Sequence, residues 1–314
     1  MAVIENSKLT VVGAGSVGTS LAYAALIRGS ASQVALYDIA TAKVEAEVLD
    51  LAHGTQFTHS GVTGGDDLAV VEGSHVVVVT AGAKQAPGQT RLELAGTNAR
   101  ILEQLLPRLI ERAPDAVFVL VTNPVDVLTV AAQRITGLPA NRIFGSGTVL
   151  DTSRLRWLLA RRAGVTTANV HADIVGEHGD TEFPLWSTER IGPVPILDWR
   201  GGDPFSAPEL DDIAGQVRNA AYTVIRGKGA TNYAIGLAGA RIVEAVLRDE
   251  RAVMPVSTVL DGVHGLDGVA LSVPCVVGGD GAAAIEETPF SVDERGLLHA
   301  SADAIRASVD SLGL

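Results

Sequence analysis

The sequence predicts an α/β protein in which a doubly wound parallel sheet is followed by a second domain of α+β character. Three observations carry this. Short apolar runs alternate with helix-spaced segments through roughly the first 145 residues, the pattern of strands covered by helices on both faces. A glycine-rich turn, Gly13-Ala14-Gly15-Ser16-Val17-Gly18, links the first run to the first helical segment. The later half carries longer apolar runs separated by glycine turns, which suits antiparallel strands. A chain of 314 residues has room for two domains. The Gly145-Ser146-Gly147 turn is the expected boundary, dividing 1–145 from 146–314.

The elements follow in order. Residues 9–12, 34–37, 76–80 and 117–122 are short and rich in Val, as strands buried on both faces are. Between them, Leu21, Ala24, Ala25 and Ile27 keep helical spacing, as do Val44, Val48, Leu49 and Leu51. A third helix runs through Ile101, Leu105, Leu109 and Ile110, and Pro107 inside it is expected to bend it. In the second half, residues 198–208 form a Gly/Pro-rich loop that ends in a capping box from Ser206 to Glu209. Residues 253–260 and 269–277 are the expected antiparallel strands, and Ile305, Val309 and Leu312 mark one face of a last helix.

Composition removes several classes of function. The net charge of −12 disfavours a nucleic-acid partner. Mean hydropathy is +0.27, but it comes from Ala and Val. No apolar run approaches the roughly 20 residues of a membrane span, and the densest, 76–79, is strand-sized. A single cysteine, Cys275, excludes an internal disulfide or a cysteine-built metal site; it lies in an apolar run and reads as an inert core residue. The start, MAVIENSKLT, has neither a basic region nor a cleavable apolar stretch, so the expected location is the cytoplasm, with no membrane partner.

The glycine turn is a GxGxxG element, weak by itself. Here it follows a strand and opens a helix, the context in which it binds a dinucleotide. Two glycines let the backbone turn and approach a pyrophosphate, and the third lets helix and strand pack closely. The pyrophosphate then meets free N–H groups at a helix N-terminus. Asp38 ends the second strand about 20 residues on, where a carboxylate accepts from ribose hydroxyls and repels a 2′-phosphate. The expected cofactor is NAD, on a Rossmann-type domain. A structural glycine turn with a surface aspartate is the alternative.

His178 stands in Gly176-Glu177-His178-Gly179-Asp180. Taken alone it reads as a loop histidine, and its spacing from His171 does not suit a metal, so no metal site is expected. Its company changes the reading. Asp151 and Arg154 are three apart and share a helix face. Arg91 closes a Gly/Pro-broken segment after one strand, and Asn123 follows the next. Ligands bind at those strand ends in open parallel sheets.

With these residues in place, the sequence resembles the L-lactate/malate dehydrogenase family over essentially its whole length, nearest its bacterial L-lactate members. The resemblance rests on GAGSVG, DLAHG at 50–54, TAGAKQAPGQTR at 80–91, VTNPVD at 121–126 and GSGTVLDTSR at 145–154. It continues through GEHGD at 176–180, KGATNYAIG at 228–236 and GLDGVALSVPCVVG at 265–278. It implies that the second domain is the substrate and catalytic domain. It further implies that His178 transfers the proton, Asp151 fixes and charges that imidazole, and Arg154 grips the substrate carboxylate. Arg91 polarises the reacting carbonyl while a hydride moves between carbon and nicotinamide. Asn123, Asp126, Thr231 and Gln85 complete the substrate site. The cofactor positions it implies are Gly13, Gly15, Val17, Gly18, Asp38, Lys43, Gly82, Ala83, Val121, Thr122, Asn123 and Ser146.

Gln85 falls where the family reads the substituent on the substrate's C3. A neutral amide tolerates pyruvate's methyl group but does not neutralise oxaloacetate's second carboxylate. Pyruvate and L-lactate are therefore the expected pair, and malate dehydrogenase is the alternative. A non-catalytic NAD-binding protein is the alternative of another class; it would have no reason to assemble His178, Asp151, Arg154 and Arg91. The resemblance also implies a homotetramer and an allosteric site for fructose 1,6-bisphosphate at Arg156 and His171, acting more strongly at acidic pH. Tyr222 is read as interface or core, without chemistry.

Overall fold

The computed structural model describes residues 4–83 and 90–313, with Arg91 represented by its backbone. Six strands form the parallel part of the sheet: β1 (Lys8–Val12), β2 (Gln33–Tyr37), β3 (Gly61–Gly65), β4 (Val76–Val79), β5 (Val117–Leu120) and β6 (Ile143–Gly145). Their order across the sheet is β3-β2-β1-β4-β5-β6, all parallel. The strand order reverses between β1 and β4, which is where such sheets open a crevice for ligands. The GxGxxG turn leaves β1 at that point.

The connecting helices are α1 (Ser16–Arg28), α2 (Thr41–His53), α3 (Arg91–Arg112) and α4 (Val125–Thr136). β4 and β5 are buried along their whole length, as their unbroken Val, Phe and Leu runs require. α3 starts with a complete capping box, Thr90 with Glu93, and continues unbroken through Pro107. In α2 the apolar spacing marks a core face through Val44, which is buried, and Val48 and Leu51, which pack partly buried against the same core, whereas Leu49 is exposed. β3 lay outside the sequence reading because GVTGG, an edge strand, has no apolar run to announce it. β6, at three residues, is too short for a periodic signal.

After β6 the chain enters α5 (Val149–Ala163) and the two-residue strands β7 (Val170–His171), β8 (Ile174–Val175), β9 (Phe183–Pro184), β10 (Arg190–Ile191) and β11 (Val194–Pro195). Then come α6 (Ala207–Lys228), opened by the Ser206–Glu209 capping box, and α7 (Tyr233–Leu247). β12 (Ala252–Asp261), β13 (Asp267–Gly278) and β14 (Gly281–Ala284) form an antiparallel meander, and α8 (Val292–Ser311) closes the fold. The meander joins the parallel strands through Ser257 opposite Gly145, giving one nine-stranded sheet across the 145/146 turn. α7 lies so close on α1 that a Cβ at Gly236 would sit 2.8 Å from the Ser20 backbone. That contact ties the second half of the chain to the first turns of the cofactor crevice. In α8, Ile305 and Val309 are buried as their spacing requires.

Candidate active site

The crevice begins at the turn after β1. Gly13 has a φ of 109°, outside the range of ordinary side chains, and a Cβ there would lie 2.7 Å from the Ala81 nitrogen. A Cβ on Gly18 would run into the Gly13 carbonyl oxygen and the Thr80 hydroxyl, so this glycine is what lets α1 seat against the strand ends. Gly15 differs, because a Cβ there would meet nothing within 4 Å. The protein itself does not need that glycine; a group approaching the backbone from the crevice would. No side chain caps α1, and Gly15 is its N-cap, so its first-turn N–H groups stay available for an anion.

Asp38, directly after β2, accepts from the Ala14 N–H at 2.7 Å and the Ala40 N–H at 3.0 Å, one bond to each oxygen. A carboxylate has about four acceptor positions, so capacity for ribose hydroxyls remains. These features fit a dinucleotide. Lys43 is exposed in the first turn of α2. Gly82 and Ala83 follow β4, and Val121, Thr122 and Asn123 follow β5. Ser146, after β6, is buried and donates its N–H to the Leu120 carbonyl. Asn98 is a residue the sequence reading missed. It is buried on α3, accepts from the Ala83 N–H at 2.7 Å and donates to the Asn123 carbonyl at 2.8 Å, locking two crevice loops together. Asn123 precedes Pro124 through a cis peptide.

Next to this crevice is a cavity of about 420 Å³, walled by Asn123 and Pro124, by Asp151 and Arg154 of α5, and by the 177–182 loop. That loop is pinned at several points. Gly176 exchanges backbone bonds with Ser272, the Glu177 N–H donates to the Ser301 hydroxyl, and Thr181 donates to the Glu177 carboxylate. The His178 N–H donates to Asp126 Oδ2 at 2.7 Å, and His178 Nδ1 donates to Asp151 Oδ2 at 2.6 Å. Asp126 thus fixes the backbone and Asp151 the ring, leaving Nε2 for the cavity. Asp151 is almost wholly buried, and its other oxygen accepts from Arg154.

Electrostatics follow from this packing. Burial opposes the charge on both Asp151 and His178, but each carries the other past that cost. Asp151 is held below its usual pKa, and His178 is lifted to about 9. Asp126, buried on α4, rises to about 6 through loss of solvent. Glu182 went unnoticed in the sequence and lines the same cavity. It is buried beside Asp151 and pushed up to about 8.

Not every expected residue lands here. Gln85 lies outside the described residues, as does the Arg91 side chain, although Arg91 opens α3 at the cavity's edge, next to Leu92 of its wall. Thr231 does not line the cavity. α6 continues to Lys228 before its left-handed Gly229 cap, so Ala221, Tyr222 and Ile225 form that wall instead. Tyr222 therefore lines the cavity and is 45% exposed, which corrects the core half of its interface-or-core assignment. On the far side of α5, Arg156 donates to the Ala172 carbonyl at 2.8 Å and to Asp173 Oδ1 at 2.9 Å, and exposed His171 lies nearby on β7. Cys275 is buried, with its thiol pushed up to about 12 by loss of solvent, and is inert. No helix among the described residues is long and apolar enough to cross a membrane.

Comparison with known proteins adds the family. Residues 7–145 match the model for the lactate/malate dehydrogenase NAD-binding domain, and residues 148–312 match that for the family's alpha/beta C-terminal domain. An L-lactate dehydrogenase of Bifidobacterium animalis subsp. lactis is 47% identical over 314 residues, covering 99% of this chain and 98% of that one. One from Synechococcus is 47% identical over 309 residues, covering 97% and 99%. Among solved structures, a minor L-lactate dehydrogenase from Enterococcus mundtii superposes with a TM-score of 0.93 at 38% identity, covering 98% of each chain. A lactate dehydrogenase from a deep-sea metagenome gives 0.94 at 37% identity, covering 98% and 99%.

Proposed function

Because the chain belongs to the lactate/malate dehydrogenase family, we infer that it interconverts pyruvate and L-lactate with NAD, and that His178 gives and takes the proton. The cofactor, when bound, would supply a hydride to pyruvate as NADH, leaving NAD+, and would accept one from L-lactate as NAD+. Gly13, Gly15, Gly18 and Asp38 would hold it. The observation that carries the reading is a single buried carboxylate, Asp151, bonded to both His178 and Arg154 at the wall of one cavity.

His178 is protonated near neutral pH, with Nε2 as the donor toward the oxygen of a substrate carbonyl. Lactate oxidation needs the neutral ring and so becomes easier as pH approaches about 9. The Arg154 guanidinium offers a planar two-donor fork to the substrate carboxylate, each charged bond worth roughly 1.5–3 kcal/mol. Arg91 and Asn123 are assigned to the substrate's carbonyl oxygen, and Asp126 positions His178 through its backbone. Gln85 is assigned to the methyl end; Thr231, which does not line the cavity, is not.

Fructose 1,6-bisphosphate as effector and a homotetramer are further parts of this proposal. Arg156 already holds Asp173, so an effector phosphate must displace a carboxylate. Burial raises the Asp173 pKa, so protonation on acidification eases that exchange and supports activation favoured at low pH. Exposed Ile27, Tyr233 and Leu237 on the packed pair α1 and α7 support a second copy covering that face.

The test is initial-rate loss of NADH absorbance with pyruvate, compared with oxaloacetate, with NADPH, and with added bisphosphate. Pyruvate with NADH is expected to give the highest kcat/KM, and the bisphosphate to lower the pyruvate KM most at acidic pH. Oxaloacetate preference would assign the chain to the malate branch, and superimposable curves would remove the effector.

A further inference from the structure

Glu182 is a buried carboxyl at the cavity to which the proposed chemistry gives no task. It is 4% exposed, and its Oε1 is buried without a hydrogen-bond partner. Among the described residues, one ligand-type atom from each of Glu182, His178 and Asp151 lies within 4.8 Å of the others. A buried carboxyl left unpaired costs stability, and a residue with only a structural role would bond inside the loop, as Thr181 does with Glu177.

Among the described residues, the charged groups acting on it come from three sides: Asp151 and Arg154 from α5, Arg218 from α6, and His178 from the loop itself. Asp126 of α4 acts on His178, and Glu177 acts on Asp126. Arg218 reaches the Glu182 backbone carbonyl at 3.3 Å and does not bond its carboxyl. Asp151 is already shared between His178 and Arg154. A second carboxylate beside it acts on the same imidazolium, along with the guanidinium groups of Arg154 and Arg218.

We propose that Glu182 is a positioning residue that acts through His178: neutral beside the Asp151–His178 pair at lower pH, it ionises as pH rises, and its new charge holds the proton on the imidazole. Glu182 releases its own proton to solvent, and the His178 proton stays on the ring. The pair thereby keeps His178 able to protonate a carbonyl oxygen further into the alkaline range than Asp151 alone would, and it delays the neutral ring that lactate oxidation needs. This deepens the role given to His178 above and rests on it.

The test compares wild type with Glu182→Gln and Glu182→Asp by two readouts. The first is the rate at which diethyl pyrocarbonate modifies His178, followed on its peptide by mass spectrometry across pH; only the neutral ring reacts, and no turnover is needed. The second is the pH profile of kcat/KM in both directions. In Glu182→Gln the modification midpoint is expected to fall by about one pH unit. The alkaline decline of pyruvate reduction and the rise of lactate oxidation should move down with it by the same amount. Glu182→Asp, which keeps the acid, should stay near wild type. If Glu182→Gln does not fold, Glu182→Ser removes the same ionisation. An unmoved midpoint in the non-ionising variant overturns the proposal, even if kcat falls. A moved midpoint in a protein that turns over neither pyruvate nor lactate would leave the positioning role standing and overturn the proposed function instead.

Discussion

At the cofactor end of the crevice, the turn after β1 works through what its residues lack. Gly13 and Gly18 leave no room for a Cβ, and Gly15 presents bare backbone to open space. Asp38 contributes a charge, and backbone donors hold it. At the substrate end the side chains carry the function. Asp126, Asp151, Arg154, His178 and Glu182 converge from α4, α5 and one loop. Burial raises the pKa of Asp126 and Glu182, whereas pairing, against burial, lowers that of Asp151 and raises that of His178. The first site is local in sequence and depends on shape. The second is assembled across more than fifty residues and depends on charge, since His178 and its backbone anchor Asp126 are 52 positions apart. The two should therefore fail differently.

The largest effect is expected from His178→Asn. Losing a positioned acid and base should cut kcat/KM for pyruvate by about 10²–10⁴-fold, while NADH affinity, read by its fluorescence on binding, stays within about twofold of wild type. A parallel loss of NADH binding would dissolve the separation between the two ends. Gly18→Val is the converse. Forcing a side chain against the Gly13 carbonyl should weaken NADH binding by about 10–100-fold, without moving the pH at which His178 reacts with diethyl pyrocarbonate.

Asp38→Ser should be milder. Removing the carboxylate that opposes a 2′-phosphate is expected to relax discrimination against NADPH by about tenfold, seen as the ratio of kcat/KM values for the two cofactors. An unchanged ratio would locate that discrimination elsewhere.

The smallest effect concerns stability and uses a buried acid away from both ends. Both oxygens of Glu189 are buried without a hydrogen-bond partner. Burial, then Asp173 and Glu294, raise its pKa well above 4.5, against the pull of Arg156. The folded chain then keeps a proton that the unfolded chain gives up above pH 4.5, so folding loses stability as pH rises through that interval. Glu189→Gln removes this loss. Its advantage in urea midpoint over wild type should be small near pH 4.5 and grow toward neutral pH, with kinetics unchanged in the absence of effector. A constant difference across pH would show that Glu189 is not carried as the neutral acid.

The same contrast explains what the sequence made legible. The glycine turn and Asp38 form a local pattern, and the alternation of apolar runs and helices is enough to set them on a parallel sheet. Asp151, Arg154, Asn123 and His178 needed the family resemblance to be read as one site, because nothing in a linear pattern brings 126, 151 and 178 together. Glu182 escaped because a glutamate in a polar stretch reads as a solvated charge, and only the packing of the loop against α5 and α6 buries it. Asn98 could have been found, since it falls among Leu94, Ala95 and Leu102 on the buried face of α3, where a polar side chain needs a partner. Thr231 shows the opposite limit. Its motif is plain, but where the turn between α6 and α7 sits depends on how far α6 continues before Gly229.

The central claim is that Asp151 and His178 act as one unit in proton transfer. A double-mutant cycle on kcat/KM for pyruvate, with His178→Asn, Asp151→Asn and the pair, tests it most directly. If the aspartate works only by orienting and charging that imidazole, the double variant should lose no more than His178→Asn alone. Losses that multiply across the two sites would contradict the account, because Asp151 would then be contributing to the reaction independently of His178.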